Sequence, residues 1–494
     1  MRMLCPMRTA DSLPVTRRRR LASPLSCFTG LLLLAFFAGV GLALAADLTT
    51  EQQASLRAGH RHDKNGWVYL HVEGAPHARG FQYGYLLARE IAEGLRVTRA
   101  IWAHDSGLEW PWLVAKSREL LEPQVDAESL AELDGMAEGL RAAGIPSSRS
   151  ELIAYNAWIE LAGYWWPKAK KAMGGETPPP ARESCSSFIA TGSMTRDHNV
   201  VLGHNTMNRY VEVLANVVLD VLPEKGHRIL MQATPGWIHS GTDFFVTDAG
   251  LVGSETTIGG FDSYETNGIP EFVRMRRATQ DAGSIDDWCA VLKRGNNGGY
   301  ANAWLLGDVR SGEIARLELG LKQVAFERKR DGVFLGSNIA EDRKLLVFET
   351  DANENDIRLS SIARRVRWKQ LMAQSQGRID LGLAERFEAD HYDSFYRRVA
   401  PGSRALCAHD DLEANVWGSW PSGPFFPSGT IDGKVVDAKM AKEMAFVARW
   451  GAACGTAFDA DRFLAAHLQF DWMQGLLKSR PSQPWTLFRA GEAR

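Results

Sequence analysis

The chain has 494 residues, with 57 Lys and Arg against 59 Asp and Glu, for a formal charge of −2. Residues 1–46 hold six arginines and one aspartate, so the remainder carries −7. That mildly acidic remainder excludes nucleic acid as a partner, because phosphate binding needs clustered Lys and Arg, and its length allows either one large sandwich or two to three average domains.

In chain order, Arg17 to Arg20 form a basic stretch, 30–44 is nearly all apolar, and Ala43-Leu44-Ala45 supplies small residues for a signal peptidase. Residues 1–46 therefore read as a signal peptide for an exported, periplasmic or secreted protein. The apolar run is too short for a convincing span, so no stable membrane span is expected after its removal. Residues 47–184 read as a mainly helical segment with one strand at 67–71. Tyr83, Leu86, Leu87, Ile91, Leu95 and Ile101 recur at helical spacing over 79–105, and similar patterns cover 128–143 and 151–172. The apolar faces of these helices need a partner, so this piece is expected to stay with the rest.

A loop, Gly174-Gly175-Glu176-Thr177-Pro178-Pro179-Pro180, ends that segment. Beyond it the period changes. Short β-branched or aromatic runs at 187–191, 199–203, 217–221, 228–232 and 244–247 read as strands, and the series continues at 303–306, 314–319, 324–327 and 333–335. Arg196-Asp197-His198-Asn199 and Arg310-Ser311-Gly312-Glu313 read as hairpin turns. Helices are expected at 285–292 and 360–372, and as the dominant element after 439. Many strands without βαβ alternation predict an α+β fold of stacked antiparallel sheets.

Four cysteines lie beyond residue 46. Cys289 shares an apolar helix face with Ile285, Trp288 and Leu292 and reads as core. Cys407 and Cys454 are the plausible disulfide pair of an oxidising compartment. Cys185 stands in Ser184-Cys185-Ser186-Ser187-Phe188, where loop gives way to strand. It reads either as a small core residue or as a nucleophile. A thiol needs a base, and an N-terminal cysteine carries one in its α-amino group, whose pKa of roughly 7.7–8.0 lies near working pH. Scission of Ser184-Cys185 by the same thiol would create that amine.

The set Cys185-Ser186-Ser187-Phe188-Ile189, His204-Asn205-Thr206, Ser254-Glu255-Thr256-Thr257, Gly336-Ser337-Asn338-Ile339 and Gly429-Thr430-Ile431-Asp432-Gly433-Lys434-Val435 resembles, in order, the phospholipase B-like family of N-terminal-nucleophile hydrolases. That family is related to cysteine-initiated acyltransferases and to bile-salt and penicillin amidases. The resemblance implies a four-layer α-β-β-α sandwich over 185–494, with a C-terminal helical extension and the nucleophile on an inner strand. It implies Cys185 as nucleophile and Ser184 as the end of the upstream piece. Asn338 becomes the oxyanion asparagine, His204 a histidine facing the nucleophile, and Arg364 an arginine that steadies it. Asn205, Glu255 and Thr256 would line the substrate or oxyanion wall. Met207 replaces a tryptophan the family tends to carry.

The implied substrate is a small-molecule acyl ester, a phospholipid by the family name. An N-acyl amide, acyl transfer to an amine, or a non-catalytic secreted binding protein on the same fold are the alternatives. No cofactor and no metal are expected. His60-Arg61-His62-Asp63 has metal-like residue types but no partner cluster, and His391 in Asp390-His391-Tyr392-Asp393 reads as a structural, hydrogen-bonded histidine, with an acid-base pair as the alternative. Trp102, Trp110, Trp112, Trp165 and Trp166 would fill a core or line an apolar acyl channel. The His-Glu-x-x-His, Gly-x-Ser-x-Gly and phosphate-loop patterns are missing.

Overall fold

The computed structural model describes residues 48–176, 185–212, 216–241, 244–415 and 423–492. The expected signal at 1–46, the prolines Pro178 to Pro180 and the Ser184 side of the expected cleavage site lie outside the described residues.

A helix, Thr50–Ala58, opens the described chain and leads into β1 (His60–Lys64) and β2 (Trp67–Gly74), followed after the helical region by β3 (Cys185–Thr191) and β4 (Val201–Arg209). Then come β5 (Val217–Pro223), β6 (Ile229–Ala233), β7 (Phe244–Thr247), β8 (Leu251–Thr257), β9 (Asn302–Asp308), β10 (Glu313–Leu319), β11 (Val324–Lys329) and β12 (Gly332–Gly336). The short hairpin β13 (Tyr392–Asp393) and β14 (Arg398–Val399) precedes β15 (Ser428–Asp437), β16 (Ala445–Trp450) and β17 (Thr486–Arg489).

These form a nine-stranded sheet in the order β1-β2-β5-β6-β7-β8-β9-β10-β11 and a six-stranded sheet in the order β12-β3-β4-β15-β16-β17. The sheets pack face to face, β3 lying over β8 and β9. Helices Glu271–Asp281 and Ile285–Lys293 cover the outer face of the larger sheet, and helices Ser360–Ser375 and Leu381–Glu388 that of the smaller. The result is α+β, in four layers, with both sheets buried on two faces, so strands such as β8 and β15 carry hardly an exposed residue.

Both expected hairpin turns join neighbouring antiparallel strands, β3 to β4 and β9 to β10. Beyond 439 short helices alternate with the strands β16 and β17, and β15 just before it is a further strand that the pattern does not mark. Asp432-Gly433-Lys434 interrupts the apolar pattern of β15 and hides the strand, because both charged side chains are paired between the sheets. Residues before and after 185 also share one sheet, since β2 pairs in parallel with β5. Cys289 lies in the core beside Ile285, Trp288 and Leu292. His60 and His62 sit on β1, where their rings lie against Tyr69. The tryptophans Trp102, Trp112, Trp158 and Trp166 pack on one another as core.

Helices Pro76–Leu86 and Ala127–Ala142 meet backbone to backbone through Gly80 and Gly84 on one side and Gly135 and Gly139 on the other. A Cβ on Gly80 would stand 1.9 Å from the Glu132 carbonyl oxygen, and one on Gly135 would stand 2.0 Å from that of His77. Only glycine permits this approach. The crossing places buried Glu132 between the guanidinium groups of Arg79, whose Nε donates at 2.7 Å, and Arg276, whose Nη2 donates at 3.1 Å.

Nearby, the ring of His239 stacks on Trp237 at 5.1 Å and is buried, with Nδ1 meeting no partner among the described residues. Burial, then the Arg276 charge, lowers its pKa to about 3. The sign follows from linkage: the unfolded imidazole, near 6.5, takes up a proton on acidification and the folded one does not. Between pH 7.5 and 5.5 this one group is expected to remove about 1.4 kcal/mol of stability. Urea unfolding at the two pH values should show a His239→Gln chain losing correspondingly less than the parent. Equal losses would show that His239 titrates alike in both states.

Candidate active site

Cys185 is the first residue of β3, an inner strand, and is 2 % exposed. Its backbone is clamped at both ends. The N–H donates to Asn338 Oδ1 at 3.3 Å, and the carbonyl oxygen accepts from Arg364 Nη1 at 2.6 Å. Arg364 Nη2 also donates to Asn338 Oδ1 at 2.7 Å, and its Nε donates to Ser360 Oγ at 3.0 Å. The guanidinium, fully buried, reaches the nucleophile strand from helix Ser360–Ser375. Arg364 thus belongs to the site and not to a solvated helix face.

Asn338 follows β12 at φ 65°, in the left-handed region that asparagine tolerates better than most residues. This bend brings its amide back over the start of β3. Two donors, Cys185 N–H and Arg364, face one amide atom, while the Thr257 carbonyl faces the other. The network therefore fixes oxygen toward Cys185 and nitrogen toward Thr257, which accepts at 2.8 Å. One of the two amide hydrogens of Asn338 is thus engaged by Thr257, and its oxygen holds the nitrogen of Cys185.

The register sorts the other candidates. Cys185 lies opposite Thr206, Ser186 opposite Asn205 and Ser187 opposite His204. Side chains alternate across a strand, so His204 shares the inter-sheet face with Cys185 while Asn205 points the other way. Asn205 Nδ2 donates to the carbonyls of Glu388 at 2.7 Å and Leu406 at 2.9 Å, on the outer face. This corrects its expected place in the substrate wall. His204 is fully buried, and its Nε2 lies 3.0 Å from the Glu255 carbonyl oxygen. Burial and then the charge of Lys434 hold its pKa well below the usual range, so the ring is neutral and carries no charge toward the thiol.

On β8, Ser254 Oγ meets Ser187 Oγ at 2.7 Å, and the Thr256 side chain stands against Gly336, where a Cβ would come within 2.6 Å. Thr256 therefore faces the smaller sheet at β12, the neighbour of the Cys185 strand. Glu255 alternates to the opposite face, where Tyr300 Oη donates to its carboxylate at 2.7 Å. Its carboxylate therefore points away from the nucleophile's face.

Three groups that the sequence reading passed over complete the centre. Lys434 Nζ donates to Thr206 Oγ1 at 2.5 Å and to Asp432 at 2.5 Å, while Gln232 links to both charged residues; Lys434 and Asp432 are fully buried. Two opposite charges at alternate positions of a β-branched run were the available signal. The third is an aromatic cluster of Tyr164, Phe261, Tyr264 and Tyr300 with Ile258 and Ile339, next in chain to Thr257 and Asn338. It is an apolar body that adjoins the Thr257–Asn338 pair.

On the far side of the smaller sheet, Cys407 and Cys454 come together with His391 and His409. The expected disulfide is not formed: both cysteines are thiols. Among the described residues no helix is long and apolar enough to cross a membrane.

Residues 130–318 match the family model described as Phospholipase B, a stretch that contains Cys185, His204, Glu255 and Thr256 but ends before Asn338 and Arg364. The chain is 30% identical over 145 residues to putative phospholipase B-like 2 of Mus musculus, covering 26% of this chain and 24% of that one. It is 23% identical over 258 residues to an uncharacterized protein of Archaeoglobus fulgidus, covering 50% and 42%. The alignments thus span well under half of either relative. Among solved structures, a mutant conjugated bile acid hydrolase of Clostridium perfringens is 12% identical at a TM-score of 0.31, covering 54% of this chain and 89% of that one. Penicillin V acylase of Agrobacterium tumefaciens is 11% identical at a TM-score of 0.28, covering 54% and 83%. These structural likenesses are too slight to bear on the fold, whereas the sequence matches bear out the phospholipase B-like resemblance.

Proposed function

We propose, starting from a chain with a phospholipase B family region around Cys185, that this is an exported acyl hydrolase matured by its own thiol at Ser184-Cys185. The observation that carries the reading is the double clamp on Cys185: Asn338 Oδ1 at its nitrogen and Arg364 at its carbonyl oxygen. A purely structural cysteine has no need of an asparagine in a left-handed turn and a buried arginine devoted to its backbone.

In maturation, the Cys185 sulfur attacks the Ser184 carbonyl carbon. The C–N bond breaks, a C–S bond forms, and the thiol proton passes to the departing nitrogen. Water then hydrolyses the thioester, which leaves a carboxylate on Ser184 and restores the thiol beside a new α-amine. Asn338 Oδ1 is already placed to accept from that amine. The guanidinium of Arg364, held on the same oxygen, disfavours a second positive charge beside it and so favours the neutral, proton-accepting amine. In turnover the amine takes the thiol proton, sulfur attacks the substrate carbonyl, and the proton goes to the departing alkoxide. Water assisted by the amine then releases the acid.

The aromatic cluster next to Thr257 and Asn338 supports an apolar acyl group, and the family region supports a glycerophospholipid ester as its source. N-terminal sequencing of purified fragments, together with fatty acid release from phosphatidylcholine, tests the proposal; a chain that never begins at Cys185 would end it. Arg364→Gln is expected to slow both maturation and turnover by about 10- to 100-fold, the worth of a charged hydrogen bond. Timed gels and initial rates would check this, and unchanged rates would remove Arg364 from the site.

A further inference from the structure

The cluster of His391, Cys407, His409 and Cys454 has no part in the acyl chemistry. Its four candidate ligand atoms lie within 4.8 Å of one another. They converge from separate excursions of the chain. His391 precedes β13, Cys407 and His409 lie in the segment that leads to β15, and Cys454 follows β16. Backbone bonds fix their approach: Cys407 N–H donates to the Asp390 carbonyl at 3.0 Å, and Ala408 N–H donates to Thr430 Oγ1 at 2.9 Å. His409 forms a bridge with Gly429 of β15.

The geometry points to a structural zinc site, and we propose that His391, Cys407, His409 and Cys454 bind one Zn²⁺ tetrahedrally through two nitrogens and two sulfurs. His409 Nε2 stands 3.5 Å from Cys454 Sγ and 3.8 Å from Cys407 Sγ. Bonds of about 2.3 Å to sulfur and 2.0–2.1 Å to nitrogen, at a tetrahedral angle, put such atoms about 3.6 Å apart. The other nitrogen of His409, Nδ1, lies 4.0 Å from Asp411, whose carboxylate in turn accepts from Tyr210 Oη at 3.0 Å. A carboxylate behind a ligating histidine is the usual orienting partner.

The remaining groups agree. Cys454 Sγ receives the Thr456 N–H at 3.4 Å, a donor that suits a thiolate ligand. His391 Nε2 is buried with no hydrogen-bond partner in its own reach among the described residues, and the His391 ring lies against Cys454. Cys407 and His409 are buried while His391 and Cys454 are partly exposed, which gives the ion a route in. Four protein ligands leave no open position, so the metal serves as a staple and not as a reagent. It ties the β16 loop to the segment that receives Asn205 on the outer face of the nucleophile's sheet.

The test is metal analysis of the full chain purified without chelators, followed by cobalt titration of the stripped, reduced protein. About one zinc per chain is expected, and Co²⁺ should give tetrahedral ligand-field bands with a thiolate charge-transfer band. Cys454→Ser and His391→Ala should each bind less than about a tenth of the parent's zinc, while Cys289→Ser should bind as the parent does. Reduced wild-type chain that takes up no cobalt would overturn the site, as would peptide mapping that finds Cys407 joined to Cys454 in the freshly purified protein. The cobalt titration needs no variant and stands even if the substituted chains fail to fold.

Discussion

A Cys185→Ala chain is expected to remain one polypeptide and to lose acyl hydrolysis by at least about 10³-fold. Both losses have one cause. The methyl group offers no electron pair to the Ser184 carbonyl, so no thioester forms and no α-amine appears. Without the amine the site lacks a proton acceptor as well as a nucleophile. The fold should survive, because Cys185 is a small residue at the end of β3 and its contacts with Asn338 and Arg364 are made by backbone atoms that alanine keeps. Cys185→Ser separates the two roles of sulfur: a hydroxyl is a poorer nucleophile at neutral pH, so scission should slow without vanishing. Intact mass and Edman degradation read the result. Active wild-type protein of undivided mass would sink the scheme, and so would scission of the alanine variant at the same bond.

The second large effect is expected from Lys434→Met. The ammonium lies between the sheets with Asp432, Thr206 and Gln232 around it and no exposure to water. Methionine fills the space but leaves the Asp432 carboxylate buried beside an amide alone. Breaking one side of such a pair costs about 3–5 kcal/mol, far more than the intact pair contributes, because the surviving charge has no solvent. Lys434→Met with Asp432→Leu should recover most of that loss. Denaturant unfolding of both single variants and the double variant measures the coupling, and additive losses would show that the two charges do not depend on each other. Since Thr206 faces Cys185 across the ladder, the single variant should also slow turnover more than global stability alone explains.

Much of the layering was legible from strand runs, and β9 with β10 followed directly from Arg310-Ser311-Gly312-Glu313. Cys185 was legible because a motif set marked it. What escaped reading depended on which way side chains point. Asn205 sits one residue from both His204 and Thr206, and only the pairing of Ser186 with Asn205 shows that it faces outward. The direction of the Glu255 carboxylate is hidden for the same reason. Asn338 is marked by the motif set, which does not reveal that its oxygen holds the Cys185 nitrogen. β15 is obscured by Asp432 and Lys434, charges that a local pattern assigns to solvent. The Cys₂His₂ cluster gathers residues 391, 407, 409 and 454, a spacing that no short motif can report.

The parallel ladder between β2 and β5 has a consequence for a chain divided at residue 184. Seven residue pairs from Val68–Val217 to Gly74–Pro223 would then join two different polypeptides, and β2 is the second strand of nine, with only β1 outside it. Neither product owns a finished core, since the glycine-locked helices of one piece bury Glu132 against Arg276 of the other. Division would produce a heterodimer that was never assembled from separate parts, and whose halves have no independent history of folding to return to.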